Sequence, residues 1–506
     1  MGRAVGELLG VEALEPQEPR PIDLSALDPA GLEVPAQLSS FVSLRAEDRF
    51  AHARGKSYPE LWDGFLGRIP RAPDAVAFPE LEREIVDLLE WCERTDVAVI
   101  PFGGGTSVVR GVEAPHDRAS VSLDLSRMCS VSELDPVSRV ARIEAGATGP
   151  ALEAQLGAKG MTLRHYPQSF ERSTLGGWIA TRAAGHFATG PTRIDAFVES
   201  ARMVSPSGIL ETPRVPSAGA VDARGWVLGS EGAFGVITEA WVRVRPRPRF
   251  RARASARFDD FLRGAEAVRA IVQAGLEPAN CRLLDPVESA IFGVSSERDS
   301  VLVLSGESSA CPLDAWLSAA TSFVREQGGR VTAERASISD RPEDDAKWRS
   351  AFFEGPYLQN VMVSLGVVAD TFETSVTWDR FPRLYSDVVG AVEQVIRARA
   401  GVGRVSCRLT HAYPDGPAPY FTFLTPSRPR AAALELWTEL KSAASEAVLS
   451  AGGTITHHHA IGRVHRPWHV RERGELASRV LAAQKLAFDP KGIMNPEVLV
   501  PLEKTR

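Results

Sequence analysis

The sequence predicts an α+β protein of more than one domain, and three observations predict it. Its 506 residues would fill two to four domains at about 150 residues each, with ample room for a core. Stretches with apolar residues at alternate positions are interleaved with stretches at helical spacing. Three loops rich in Gly, Ser and Thr fall within one stretch of about 135 residues, a pattern suited to wrapping an extended ligand with backbone donors.

Composition narrows the class before any motif is read. Lys plus Arg is 58 and Asp plus Glu is 64, a formal charge of −6, which argues against a general nucleic-acid binder. Hydrophobic residues at 44% and charged residues at 24% describe a globular chain rather than a disordered one. The five cysteines (Cys92, Cys129, Cys281, Cys311, Cys407) are scattered and form no CxxC pair. That argues against a disulfide framework or cysteine zinc site and favours a reducing compartment, here the cytoplasm. No 18-residue apolar run exists to span a membrane. The acidic, Pro-rich start (Met1 to Pro21) resembles neither a signal nor a transit peptide. The ending Lys504-Thr505-Arg506 is not a peroxisomal address. The expectation is a cytoplasmic enzyme.

Taken in order, residues 1–45 read as a leader that packs on something larger. From Pro79, the positions Leu81, Ile85, Leu88, Leu89 and Trp91 predict a helix, which Asp96 ends. Val97 to Pro101 is a short buried strand, followed by the loop Phe102, Gly103, Gly104, Gly105, Thr106 and Ser107. Residues 121–125 and 141–146 alternate with period two and predict half-buried strands. Arginine then recurs at every second position from Arg243 to Arg253, interrupted by Pro246 and Pro248. The favoured reading is a solvated edge strand at a domain junction, over an anionic-lipid or nucleic-acid patch. A second segment begins near residue 258, and residues 413–429 read as a Pro-rich turn region. Leu434, Leu436, Trp437, Leu440, Ala444 and Val448 predict a helix.

The glycine loop fits neither a P-loop, lacking Gly-Lys-Ser/Thr, nor a GxGxxG fingerprint. Alone it could be a mere turn. Two further loops change that reading. One runs Pro167, Gln168, Ser169, Phe170, Glu171, Arg172, Ser173, Thr174, Leu175, Gly176, Gly177, then Ala180, Thr181, Arg182 and Ala183; the other is Glu231, Gly232, Ala233, Phe234, Gly235, Val236 and Ile237.

In this order and spacing the three loops resemble the flavin-binding domain of the vanillyl-alcohol oxidase/p-cresol methylhydroxylase superfamily. The segment Phe488-Asp489-Pro490-Lys491-Gly492-Ile493-Met494-Asn495-Pro496 resembles that superfamily's usual ending. The resemblance covers the chain from about residue 57 onward. It implies FAD, with Pro101, Phe102 and residues 103–107 at the pyrophosphate. Residues 167–173 and 180–183 would lie beside the isoalloxazine, residues 231–237 would hold the remainder, and Thr174, Gly176 and Gly177 are further cofactor-binding candidates. Members that tether flavin do so through His or Cys; the glycine loop has neither, so noncovalent FAD is expected, with His165 and His186 the nearby exceptions.

The sharpest local feature is His457-His458-His459. Read from residues alone, it could be a zinc tract, a surface run or a set of proton carriers. Together with the segments 370–379, 406–413 and 419–423, it is similar to the alkylglycerone-phosphate synthase family. That resemblance places a catalytic tyrosine on Tyr420, essential histidines on His457, His458 and His459, and a required arginine on Arg282, in Arg282-Leu283-Leu284-Asp285. Alternative readings are a core aromatic for Tyr420 and an Arg282–Asp285 ion pair. The related metal-binding hydroxyacid dehydrogenases carry Glu-His-Gly where this chain has His458-His459-Ala460, so no metal is expected. The family's phosphate-gripping arginine falls on Gln359, in Tyr357-Leu358-Gln359-Asn360. Gln359 donates hydrogen bonds without charge. Either Arg282 or Arg408 takes over the anion, or the substrate is not a glycerone phosphate.

The function implied is exchange of an acyl for an alkyl group on a ketone substrate through a flavin N5 adduct, with no net redox change. Oxidation of a hydroxyacid, alcohol or amine is the alternative, and an idle flavoprotein used for binding is a third. Domains are expected at 1–72 (leader and helices), 73–248 (FAD-binding), 249–440 (substrate cap, α+β) and 441–506 (helical C-terminal segment). The resemblance further implies a small or lipid-like substrate and a homodimer. Peripheral contact with a membrane stays open.

Overall fold

The computed structural model describes residues 1–215, 219, 221–294, 299–338 and 358–500. Tyr357 and the terminal Lys504-Thr505-Arg506 lie outside them. The chain divides into two compact units, neither a continuous stretch. One comprises Pro19–Ala184, Arg193–Arg245 and His458–Arg506; the other comprises Met1–Glu18, Gly185–Thr192 and Pro246–His457.

The first unit holds a four-stranded and a five-stranded sheet. The four-stranded one is built from β1 (Val42–Ser43), β2 (Ala75–Ala77), β3 (Ala98–Phe102) and β4 (Ser120–Asp124) in the order β1-β2-β4-β3. Strand β4 runs parallel to both neighbours. It is buried along its whole length rather than half-buried as its alternation predicts, because it is an interior strand whose serines as well as its apolar residues are enclosed. The predicted helix is Glu82–Thr95. It starts where Glu84 accepts the N–H groups of Glu80 and Leu81 and stops at Asp96, whose φ of 55° leaves the helical region. The second sheet contains β5 (Val131–Asp135), β6 (Val140–Glu144), β8 (Val198–Ser205), β9 (Gly208–Glu211) and β10 (Val236–Arg243), ordered β5-β6-β10-β8-β9; β7 (Met161–Thr162) lies outside it.

The chain leaves the first unit within β11 (Arg245–Pro246). The second unit is built on a seven-stranded sheet of β12 (Phe250–Phe258), β13 (Asn280–Leu284), β14 (Ser300–Ser308), β15 (Arg330–Ile338), β16 (Val367–Glu373), β17 (Arg404–Ala412) and β18 (Pro417–Pro426). Their order is β15-β12-β14-β13-β17-β18-β16. Two expectations are corrected here. The arginine-rich strand β12 is not an edge: it pairs with β14 on one side and β15 on the other. Pro246 and Pro248 precede the strand, so every residue within it keeps its N–H. Ala252, Ala254 and Ala256 face the core while Arg251 and Arg253 take the other face.

Residues 413–429 are not mainly turn, because β18 runs from 417 to 426 between β17 and β16. Its prolines stand at its first, third and last positions, where the ladder is irregular or ending. The expected C-terminal helix is Ala433–Ser450. Within the same unit, Val5 and Leu9 of the helix Gly2–Leu9 pack against Leu365, Val367, Ala369 and Leu424.

Candidate cofactor cradle and active site

In the first unit the glycine loop follows the C-terminal end of β3, the end of a parallel strand at which ligands bind in α/β sheets. The N–H groups of Gly103, Gly104, Gly105, Thr106 and Ser107 donate to no other described residue. A row of unengaged backbone donors fits a diphosphate. Gly105 needs its lack of a side chain for its φ of +62°, whereas Gly104 needs it for packing. A Cβ there would stand 1.9 Å from the Arg172 carbonyl oxygen. The glycine thus lets the second loop lie directly on the first.

The second loop is fixed by its own hydroxyls. Ser173 Oγ donates to the Ser169 carbonyl and accepts from Trp178 Nε1. Thr174 caps the helix Leu175–Thr181 by accepting the Gly177 N–H, and Gly176 N–H donates to the Ala145 carbonyl at 2.8 Å. Thr181 Oγ1 returns to the Gly177 carbonyl, and Arg182 pairs with Asp195. Pro167, Gln168, Ala180 and Ala183 complete the loop. His165 is wholly buried beside Trp178 and Phe197, and burial pushes its pKa down to about 3. His186 belongs to the other unit.

The third loop is tied to the chain's last segment. Glu231 sends its N–H to the Ala180 carbonyl, and its carboxylate accepts the N–H groups of Ile461 and Gly462 at 2.8 and 2.7 Å. Burial lifts its pKa to about 7 against those two bonds. Gly232 lies against Pro101, Gly235 against the Val204 carbonyl, and Val236 and Ile237 open β10. Asn495 Nδ2 donates to the carbonyls of Gly111 and Glu231. Lys485 Nζ, buried, reaches Asp489, Ala233 O and Met494 O. The 488–496 motif is therefore the clasp of the cofactor unit.

In the second unit the candidate catalytic side chains gather on one sheet face. Cross-strand register sets Leu284 opposite Arg408, Arg408 opposite Tyr420, and Tyr420 opposite Glu373. Directly opposed residues share a face, and Arg282, two positions before Leu284, shares it too. The Arg408 guanidinium lies 3.9 Å from the Tyr420 ring centroid and pairs with Glu288, buried beneath it. Burial opposes the charge on Arg408, but Glu288 and Tyr420 outweigh it and raise its pKa. Arg282 is driven the other way, down to about 9, by burial and by the neighbouring Arg408 charge. Asp285 does not serve as the expected ion-pair partner. Its carboxylate accepts the N–H groups of Glu288 and Cys407. Tyr420 is 5% exposed and donates to Thr371 Oγ1 at 2.9 Å. Burial holds its phenol above the usual tyrosine range, with Arg408 opposing, so it is protonated at neutral pH.

A β-bulge between Leu409 and His411 pairs His411 with Ala418 and turns it onto the Tyr420 face. There its ring stacks on His457, centroids 5.2 Å apart. Tyr413 hydroxyl meets His457 Nε2 at 2.8 Å and Thr192 Oγ1 at 3.0 Å. The backbone of this stretch is gripped by β16: Glu373 accepts from Thr456 Oγ1 and from His457 N–H, both at 2.6 Å. His458 and His459, in the first unit, have their rings edge to face, centroids 4.9 Å apart.

Gln359 lies in the helical turn 358–364, with its amide donating to the Ala369 carbonyl at 3.0 Å. His411, Tyr413 and Glu373 stood inside segments the sequence singles out, but only the register reveals their place. Thr192 had no sequence signal.

The family described as "FAD binding domain" matches residues 73–212, and "FAD linked oxidases, C-terminal domain" matches residues 247–499. An alkyldihydroxyacetonephosphate synthase of Trypanosoma brucei brucei is 31% identical over 91% of this chain and 78% of its own length. Among solved structures, an alkyldihydroxyacetonephosphate synthase superposes with a TM-score of 0.78 at 23% identity, covering 96% of this chain and 88% of that one. A p-cresol methylhydroxylase superposes with a TM-score of 0.68 at 14% identity, covering 91% and 93%. These two establish the fold expected above. FAD is the cofactor, and the protein is an FAD-linked enzyme. The chain belongs to the FAD-linked oxidases and, among them, to the alkyldihydroxyacetonephosphate synthase family.

Proposed function

We propose that the protein exchanges an acyl for an alkyl group on a phosphorylated ketone, as the name of its trypanosome relative suggests. The observation that carries this reading is the row of Arg282, Arg408 and Tyr420 on one sheet face, with His457 stacked beside it. FAD, when bound noncovalently, supplies an electrophilic ring that can take up a substrate carbon and return it without net redox change. Residues 103–107 would cradle its diphosphate, residues 167–173 and 180–183 would flank its ring, and residues 231–237 would hold the rest.

Tyr420 moves a proton at the reacting carbon or at the departing carboxylate, a task its buried, protonated phenol suits. Arg282 takes the anionic group. Its depressed pKa of about 9 records a buried charge that a bound phosphate would favour, whereas the Gln359 amide is already engaged by Ala369. Arg408, neutralised in part by Glu288, steadies the tyrosine. His457 polarises the site. Residues 73–248 carry the cofactor and 249–440 the substrate.

No helix among the described residues is long and apolar enough to cross a membrane. The scattered, unpaired cysteines support a cytoplasmic setting, and the family resemblance supports a homodimer, which sedimentation would check.

The deciding experiment incubates purified yellow protein anaerobically with an acylated ketone phosphate and a long-chain alcohol. Alkylated product with an unchanged oxidised flavin spectrum is expected, and acid precipitation should release all the flavin. Bleaching by a 2-hydroxyacid or simple alcohol, with no alkyl transfer, would instead make the protein a dehydrogenase.

A further inference from the structure

We propose that Tyr413 is a positioning residue for His457, acting with Thr192 as a reversible hydroxyl pair that holds the imidazole whether or not Nε2 carries a proton. The inference rests on the proposed reaction only in taking His457 as part of the chemistry. Its structural basis lies wholly within the second unit.

Three contacts fix His457. Its backbone N–H is taken by Glu373, its ring face by His411 and its Nε2 by the Tyr413 hydroxyl. Two hydrogen bonds around it have a set polarity. The Glu373 carboxylate can only accept. The Phe187 carbonyl likewise only accepts from His411 Nδ1, 3.1 Å away, so His411 carries a proton on that nitrogen. The Tyr413 contact differs, because a phenol both donates and accepts, and Thr192 Oγ1, which also meets it, is a hydroxyl too.

When Nε2 is bare, Tyr413 donates to it and accepts from Thr192. When Nε2 is protonated, it donates to Tyr413, which turns its own hydrogen to Thr192. Two hydroxyl hydrogens rotate and no heavy atom moves; the proton itself is exchanged between the ring and the reacting group, and the ring's tautomer decides whether Nε2 bears it. A histidine that gains and loses protons during turnover needs such a partner, since a fixed donor or fixed acceptor would favour one state.

The rest of the chain anchors this hydroxyl pair. Trp378 Nε1 donates to the Tyr413 carbonyl at 2.9 Å. Tyr413 N–H also closes a turn onto the Gly416 carbonyl, and Thr192 is 3% exposed. The phenol is therefore held by its own backbone.

The test uses FAD-loaded protein with Tyr413→Phe, Thr192→Val and Thr192→Ser. Tyr413→Phe should lower kcat on the order of tenfold or more while leaving KM within about twofold. Thr192→Val should lose part of kcat, and Thr192→Ser, which keeps the hydroxyl, should recover it. Independently of turnover, ¹⁵N resonances of the His457 ring, assigned with His457→Gln, should shift in Tyr413→Phe and Thr192→Val but not in Thr192→Ser. Unchanged His457 resonances in both hydroxyl deletions overturn the inference, even in a protein that shows no alkyl transfer. Equal losses in Thr192→Val and Thr192→Ser also overturn it, and that pair decides the matter should Tyr413→Phe fail to fold. Absence of alkyl transfer in the unaltered protein, with the ring shifts present, would sink the proposed reaction and leave the hydroxyl pair standing.

Discussion

At Tyr420 one hydroxyl separates chemistry from packing. Tyr420→Phe keeps the ring under Arg408 and removes only the donor to Thr371. The protein should stay yellow and lose alkyl transfer by on the order of 100-fold or more, seen by comparing its flavin absorbance with its product yield. Arg282→Met asks a different question of the same face. It should raise KM for a phosphorylated ketone at least about tenfold, with the flavin spectrum unchanged.

Glu231 makes a pH prediction. Its pKa is raised in the fold to about 7, so between its unfolded value, in the ordinary carboxylate range, and pH 7 the native state binds more protons than the unfolded one. Its contribution is complete at acid pH and is lost as pH rises through about 7. Thermal stability should therefore fall between pH 5 and 8, and Glu231→Gln should flatten that fall. A slope unchanged by the substitution would show that another group sets it.

At the scale of elements, the informative objects are loops laid on one another and strands turned by one residue. Gly104→Val would place side-chain atoms where the Arg172 carbonyl stands, pushing the two loops apart. The purified variant should lack the absorbance of bound flavin, although a side chain there need never touch the cofactor for this to happen. The helix Glu82–Thr95 and strand β3 were legible in the sequence because local periodicity and end signals decide them. Strands β12 and β18 were not. Proline marked them as edge and turn, and whether an interior strand tolerates a proline depends on which N–H its neighbour needs. The Tyr420 motif was readable as a string of residues. The bulge that brings His411 beside His457 was not, since register is a property of two strands and not of one.

Across the whole molecule, the clasp formed by residues 485–496 bears on the cofactor unit far more than its length suggests. Lys485 is buried with Asp489 and two carbonyls, and Asp489 also accepts the N–H groups of Ile493 and Met494. Lys485→Met would strand that carboxylate without its cation, destabilising the unit by about 3–5 kcal/mol. Denaturant unfolding monitored through flavin release would measure it. The resemblance of this ending to a family pattern was visible in sequence. Its physical role was not, because the groups it ties down, Ala233, Gly111 and Glu231, come from distant parts of the chain.

The same clasp has a consequence for biosynthesis. Strand β3 gains its bridge from Val99 to Met494, and Glu231 its two backbone donors, only from residues made long after both. Domains generally fold in order as they emerge from the ribosome, but the flavin unit has to wait until residues 461–494 have emerged. Its early strands must remain soluble through that interval.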